Sequence, residues 1–299
     1  MYKPVSSFLS HSVIMLLATG VLMSSGCSST KPATTVNSVL DESYAKAVKL
    51  YDKKEYQAAI VELESLLFTS PATALEDDIV YLLGQSYYQS DQYLLAAEMF
   101  FRVQQQMPSS PYARASQFML AKSYEQLSPP AGLDQQPTRK AIENFALYMD
   151  MFPMKDSARI ASDVDTYREL LKINPDNDAY KRRFATASSQ YGRIDSLRYS
   201  GKAITRLREK LAKNIITVAN EYVKLGKLKA AGIFYDELID RYSDTSYLQQ
   251  AIEGKIDVLI TRNKWFDAAL TLDQYLKRFP EKKREMQGIR NKISPNSKI

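Results

Sequence analysis

The stretch VYLLGQSYYQSDQYLLAAEMFFRVQQQMP, residues 80–108, decides the fold. Its apolar side chains recur at helical spacing, without the period-two alternation that is typical of strands. Six of its residues have the types that two packed helices need: Leu83, Gly84, Tyr87, Ala96, Phe100 and Pro108. A small residue lets two helices approach, an aromatic ring fills the gap beside it, and proline ends the second helix. The stretch therefore predicts a helix hairpin, in which these six residues are structural.

The same pattern returns along the chain and defines about five units. Residues 37 positions upstream form the first unit: Ala47, Tyr56, Ala59 and Pro71. The third unit contains Ala121, Tyr124, Ala141, Phe145 and Pro153, with the loop QLSPPAGLDQQPT in its middle. The fourth contains Ala219, Tyr222, Gly226, Ala231 and Tyr235, with Ser243 at the proline position, and the fifth contains Trp265, Ala268, Tyr275 and Pro280. This spacing resembles the tetratricopeptide repeat, with Val80 where tryptophan is most common.

These units predict an all-α fold: a tetratricopeptide-like helix-hairpin superhelix with a helical insert between repeats three and four. Repeats one to three occupy residues 40–153, and repeats four and five occupy 203–280. The insert, residues 154–202, is predicted to hold a helix near 157–173, a turn at 174–178 and a second helix that ends around Gly192 or Gly201. Residues 281–299 form a basic tail, which is either a solvated end or a docking segment.

The N-terminus reads as a targeting signal that ends at Cys27, the only cysteine. Lys3 gives a positive start, residues 13–23 are apolar, and small residues 24–26 precede the cysteine, so residues 1–26 are predicted to be a signal peptide. A single cysteine cannot form an internal disulfide, and a nucleophile would lack its usual base because the only histidine is His11. We therefore predict that Cys27 is lipidated as in bacterial lipoproteins, although Ser24 stands where leucine is usual. Residues 27–39 would be a flexible tether.

Composition and motifs give little support to catalysis or nucleic-acid binding. The net charge is +6, the 10 glycines include no phosphate-binding loop, and histidine is absent after residue 11. Metal sites and Ser-His-Asp or Cys-His sets are therefore not expected, and the only predicted cofactor-like group is the covalent lipid on Cys27. Hydrolysis by two carboxylates stays an alternative, since any two acids can meet in space. The stretch KRRFATASSQYGR is the only candidate for nucleic-acid binding, and an exported protein rarely meets nucleic acid.

A row of aromatic residues marks a candidate partner-binding surface. The first helix of each stacked hairpin lines a concave groove, which suits an extended or helical peptide. Tyr44, Tyr81 and Phe118 stand 37 residues apart in the first three repeats, and Tyr51 and Tyr88 follow two turns later in the first two. Gln85 and Lys122 are their polar companions. The alternative is that these rings only pack against the neighbouring repeat.

The lipid-attached cysteine, the tether and the five repeats together resemble the BamD family, the lipoproteins of the outer-membrane β-barrel assembly machine. Three stretches are similar to that family: QSYYQSDQYLLAAEMF, QLSPPAGLDQQPTRKAI and LREKLAKNIITVANEYVKLGKLKAA. The resemblance covers about residues 40–280 except the insert.

The resemblance implies a non-enzymatic, lipid-anchored protein at the outer membrane that faces the periplasm. Its N-terminal repeats would receive the aromatic C-terminal strand of unfolded barrel precursors. Its C-terminal repeats would dock a BamA-like insertase, alongside other BAM lipoproteins. The arginine that many members carry before the fourth-repeat glycine is Leu225 here, so Lys224 or Lys227 is the predicted substitute. The runner-up hypothesis is a periplasmic tetratricopeptide lipoprotein that coordinates cell-wall or division enzymes.

Overall fold

The structure is a computed structural model that describes residues 36–153 and 157–295. The predicted signal peptide, the lipidation site Cys27, most of the predicted tether and the last four residues of the tail lie outside this part. Within it, the secondary structure is helical throughout, with twelve α-helices and one 3₁₀-helix.

The first six helices are α1 Val36–Asp52, α2 Tyr56–Leu66, α3 Glu76–Gln89, α4 Tyr93–Gln106, α5 Ala113–Gln126 and α6 Gln136–Met151. The remaining helices are α7 Ser157–Ile173, α8 Asp178–Lys224, α9 Leu228–Arg241, α10 Leu248–Thr261, α11 Trp265–Arg278 and α12 Gln287–Ile293, and the 3₁₀-helix is Pro280–Lys283.

Neighbouring helices pack in series, which confirms the predicted stack of helix hairpins. Each helix from α1 to α5 packs against the next one in the chain. Helix α6 then packs against α8, and the series continues from α8 through α9 and α10 to α11. Helix α7 packs against α8. The described residues therefore form a superhelix of five hairpins, and two further α-helices, α7 and α12, lie outside these hairpins.

Small residues stand where the helices approach most closely. A Cβ on Gly84 would lie only 2.9 Å from Cε1 of Phe100, whose side chain is completely buried. Ala47, Ala121 and Ala219 on the first helices of other repeats are also completely buried. The repeat pattern thus reports close packing between helices.

The turn inside four of the hairpins has one shared geometry. At Lys54, Asp91, Gly226 and Asn263, φ is positive, between 56° and 68°. The residue after each of them donates its N–H to the carbonyl five positions back, as Glu55 does to Leu50 at 2.9 Å and Lys227 to Tyr222 at 2.9 Å. This is the Schellman motif, which satisfies carbonyls at a helix C-terminus and turns the chain into the next helix.

The insert corrects one prediction, because its second helix does not end at Gly192 or Gly201. Helix α8 runs unbroken through both glycines for 47 residues. An interior glycine costs a helix only about 1 kcal/mol relative to alanine. The continuous helix buries Ala187 and Ile194 before Gly201 and Leu211 after it. The first part of α8 packs with α7 and the later part forms the first helix of repeat four. We call α7 with residues 178–199 the insert hairpin.

Both ends of the described chain are more ordered than the sequence predicted. Helix α1 begins at Val36, inside the segment predicted to be a tether. In the basic tail, Met286 and Ile293 are buried against the core that includes α11. Within the described residues, no helix is both long and apolar enough to cross a bilayer.

Candidate peptide-binding groove

The concave wall of repeats two and three faces the insert hairpin across an open cavity of about 220 Å³. Helices α3, α5 and α6 line one side, and α8 lines the other. The lining residues are Tyr81, Gln85, Arg114, Ala115, Phe118, Met119, Tyr148, Ser189, Gly192, Arg193 and Ser196. We call this space the groove cavity. The structure therefore brings together three of the predicted groove residues: Tyr81, Gln85 and Phe118.

The ring of Tyr81 is held from several sides. It stacks on Tyr112 with centroids 4.4 Å apart and planes 11° apart, and it contacts Phe100 at 5.9 Å. Gln85 Nε2 donates to the Tyr81 hydroxyl at 2.8 Å. Burial raises the pKa of Tyr81, and the bond from Gln85 acts in the opposite direction. A ring fixed in this way offers contact area to a partner at little cost in conformational entropy.

Phe118 belongs to an aromatic cluster made by three helices. Its ring lies 5.3 Å from Tyr148 and 6.1 Å from Phe145, both on α6, and 5.7 Å from Tyr199 on α8. The ring of Tyr199 also lies 5.9 Å from that of Phe145 and so joins α8 to α6. Phe118 thus packs against its neighbours and still borders the groove cavity, which combines the two alternatives that the sequence left open.

Lys122 lies inside an aromatic cage. Its Nζ is 5.4 Å from the centroid of Tyr88, 5.9 Å from that of Phe118 and 5.3 Å from that of Tyr199. Rings at these distances attract a cation through their negative faces. Tyr199 also donates to Glu125 at 2.7 Å, and its pKa is raised to about 12, chiefly by burial and then by Glu125. The insert hairpin, through Tyr199, therefore contacts Lys122, one of the predicted groove residues.

Tyr44 and Tyr51 lie apart from the groove cavity. Both are partly buried against the core of the first two repeats, and Tyr51 meets Tyr56 edge to face at 5.4 Å. The pKa of Tyr44 is raised to about 12, first by burial and then by Asp78 and Asp77. These two rings extend the aromatic row toward the N-terminus but do not line the same space.

The two predicted docking lysines flank the turn between α8 and α9. Lys224 ends α8 and pairs with Glu221 at 2.7 Å. Lys227 borders a second cavity of about 460 Å³, whose lining includes Val218, Tyr222 and Leu225. Leu225 is 66% exposed. An apolar side chain exposed beside a basic residue at a cavity is compatible with docking, and the place belongs to repeat four as predicted.

Two arginines of the groove cavity were missed by sequence reasoning. Arg114 on α5 and Arg193 on α8 both line it, and no aspartate or glutamate of residues 36–153 and 157–295 does. Among the described residues neither forms a salt bridge, and the buried Nε of Arg193 has no hydrogen-bond partner. The pKa of Arg114 is lowered, first by burial and then by the charge of Arg193. The cavity wall is therefore positively charged as well as aromatic.

A sequence signal existed for Arg114 but not for the residues of the insert. Arg114 precedes Phe118 by four positions, so one helical face carries both. Tyr148, Arg193 and Tyr199 reach the site only through the packing of α6 and α8, which no repeat position specifies. In the part of the chain described, no group of three His, Cys, Asp or Glu side chains could hold a metal ion.

The geometry defines the class of protein: an all-α superhelix of tetratricopeptide-type hairpins. No protein family and no curated protein matches the sequence. Among solved structures, a tetratricopeptide repeat protein from Parabacteroides merdae ATCC 43184 is 14% identical, with a TM-score of 0.33 over 86% of this chain and 97% of its own. The TPR2AB domain of yeast Sti1, described as a complex with pHSP90, is also 14% identical, with a TM-score of 0.31 over 86% of this chain and 99% of its own.

Proposed function

We propose that this chain is a non-catalytic lipoprotein scaffold of the BamD kind at the outer membrane. In this role it binds unfolded β-barrel precursors through repeats one to three and a BamA-like insertase through repeats four and five. The single observation that carries the proposal is the groove cavity, where fixed aromatic rings of Tyr81 and Phe118 border an open space on the concave wall. Concave surfaces of stacked helix hairpins are suited to extended partners.

The groove suits a peptide that ends in an aromatic residue. Rigid aromatic anchors in a partly desolvated pocket are the side chains that dominate interface energies. A volume of about 220 Å³ is below the roughly 300–1,000 Å³ of sites for drug-sized ligands. The cavity therefore fits one large side chain of a peptide, while the rest of the peptide follows the concave wall.

The proposed anchoring and docking rest on other parts of the chain. Lipid on Cys27 would hold the protein at the membrane, facing the periplasm, with no other cofactor. The cavity beside Lys227 and Leu225 supports docking at repeat four, since apolar contact area next to a positive charge is typical of a specific protein interface. Other BAM lipoproteins would join the same assembly.

Affinity purification from solubilised outer membranes tests this proposal. The tagged protein should recover a BamA-like β-barrel insertase, and its depletion should lower the level of outer-membrane barrels. A Cys27→Ala variant should lose membrane attachment while its repeats stay folded. Recovery of murein synthases instead of barrel proteins, with unchanged barrel levels on depletion, would overturn the proposal in favour of a role in cell-wall synthesis.

A further inference from the structure

The groove cavity holds two guanidinium groups that have no acidic partner among the residues that the structure describes. Two other partly buried arginines of the described chain are neutralised, Arg102 by Glu76 at 3.2 Å and Arg208 by Asp244 at 2.8 Å. Arg114 and Arg193 share one cavity, where their like charges repel. The Nε of Arg193 is buried, and no described residue supplies it with a hydrogen-bond acceptor. A buried donor left without a partner is costly, so such a group points to a ligand that supplies the acceptor.

The chemistry of the cavity selects one kind of ligand. Guanidinium groups bind carboxylates with two parallel N–H···O bonds, which gives both energy and orientation. The rings of Tyr81, Phe118 and Tyr148 border the same space. An aromatic side chain and a carboxylate lie this close together in the last residue of a peptide that ends in Phe, Tyr or Trp.

We infer that Arg114 and Arg193 form an anion site for the free C-terminal carboxylate of a peptide whose last aromatic side chain enters the groove cavity. The insert hairpin supplies half of this site, because Arg193 lies on the first part of α8. The ring of Tyr199, 5.9 Å from Phe145 and 5.7 Å from Phe118, packs that part of α8 against α6 and α5. The insert thus recognises the chain end, whereas the repeats provide the aromatic wall. The inference deepens the proposed function, on which it rests for the identity of the peptide.

Peptides that differ only in their terminal group test the inference. The full-length protein in detergent is titrated with a labelled decapeptide copied from a barrel's final strand and ending in Phe, as the free acid and as the amide. A third peptide is the amide with Glu in the penultimate position, which moves the carboxylate to a side chain. The free acid should bind at least tenfold more tightly than either amide. Equal affinity of acid and amide would overturn the inference.

Arginine variants locate the effect. Arg193→Met and Arg114→Met should each remove most of the preference for the acid over the amide. Arg198→Met is the matched control: Arg198 is on the same helix, is exposed, and pairs with Asp195 at 3.0 Å outside the groove cavity. Arg193→Lys keeps the charge and should keep part of the preference. An acid preference that survives both Met variants would place the carboxylate elsewhere.

A short probe separates this inference from the proposed function. N-acetylphenylalanine and its amide are compared by NMR titration, because they need the anion site and one ring pocket but no strand of peptide. Preference for the acid in this pair, with no binding of the decapeptide, would support the anion site and contradict the barrel-precursor role. Decapeptide binding without a preference for the acid in either pair would support the barrel-precursor role and contradict the anion site.

Discussion

At the scale of single residues, the same residue type has opposite roles at different places in the chain. Gly84 is required by a neighbouring ring, since a Cβ there would meet Phe100. Gly201 lies within a helix where a Cβ would have nothing within 4 Å. The first glycine therefore serves packing, and the second only weakens a helix.

Substitution of these two glycines by alanine should change stability in opposite directions. Gly84→Ala forces a contact of 2.9 Å with a buried ring, and overpacking of this kind costs about 1–3 kcal/mol. Gly201→Ala should raise the free energy of unfolding by up to about 1 kcal/mol, because alanine is the better helix former. Urea unfolding followed by circular dichroism measures both. Loss of stability in the Gly201 variant, or none in the Gly84 variant, would contradict the packing described.

Buried tyrosines should make the protein sensitive to alkali. The pKa values of Tyr44 and Tyr199 are raised to about 12, mainly by burial. Between the ordinary tyrosine pKa of about 10 and these raised values, the unfolded chain loses protons that the folded chain keeps. By linkage, the free energy of unfolding should fall as pH rises through this range.

Urea unfolding at pH 8, 10 and 11 measures this dependence. Tyr44→Phe should make the fall with pH shallower, because phenylalanine has no proton to lose. Stability that stays constant or rises over this interval would show that these rings are not buried as described.

At the scale of elements, the turns and the long helix determine how the hairpins connect. Within the described residues, the turns inside four hairpins each place one residue in the left-handed region, and of these four residues Gly226 is the glycine. Helix α8 belongs both to the insert hairpin and to repeat four. The connection between the N-terminal and C-terminal repeats is therefore a rigid helix and not a loop.

The left-handed turn residue of the first repeat offers a stabilising substitution. Lys54 has φ of 64°, and a side chain in this region costs roughly 1–2 kcal/mol. Lys54→Gly should raise the free energy of unfolding by about 1 kcal/mol once the entropy of glycine is included. Asn263→Gly should gain less, because asparagine tolerates this conformation. Thermal and urea unfolding measure the stability of both variants. A loss of stability in Lys54→Gly would contradict the left-handed conformation of residue 54.

Proline at position 202 tests the continuity of α8. Lys202 is exposed and follows Gly201 inside the helix. Lys202→Pro should destabilise the protein by about 3 kcal/mol or more, because proline removes a helical hydrogen bond and clashes with the preceding turn. Lys202→Ala, the control, should be nearly neutral. If a new helix started after Gly201, proline would sit in its first turn and be tolerated.

The elements also show how far sequence reasoning reaches in this protein. Ala96, Phe100 and Tyr275 were identifiable because hairpin packing repeats at a fixed spacing and needs the same residue types each time. The predicted end of the insert helix was wrong, because a glycine penalty of about 1 kcal/mol is smaller than the free energy gained by burying apolar side chains on both sides of the glycine. Arg193 and Tyr199 meet α5 only through the path of α8, and no local pattern specifies such a long-range contact.

At the scale of the whole molecule, three parts of one stack of hairpins have three different proposed tasks. Repeats two and three form the aromatic wall, the insert hairpin closes it and supplies Arg193, and repeat four presents the cavity beside Lys227. Because α8 packs with both α6 and α9, the groove and the proposed docking site share one helix. Binding at either place therefore acts on the same rigid element.

Removal of the aromatic wall should weaken peptide binding without unfolding the molecule. Tyr81→Ala combined with Phe118→Ala should cost about 2 kcal/mol or more in affinity for a final-strand peptide, as expected for anchor residues. The control is Leu94→Ala, a side chain that is 65% exposed and outside the groove cavity. Fluorescence anisotropy gives the affinity, and circular dichroism verifies the fold. Unchanged affinity in the double variant would show that both rings are purely structural.

Site-specific photocrosslinking tests the central claim, that the groove cavity is where the partner peptide binds. A benzophenone side chain is placed at Gln85, which lines the groove cavity, or at Leu94, which does not. Each protein is irradiated with a labelled peptide ending in the aromatic residue of a barrel's final strand. The account predicts a crosslink from position 85 that excess unlabelled peptide abolishes, and none from position 94. Equal crosslinking from both positions, or crosslinking from position 94 alone, would contradict it.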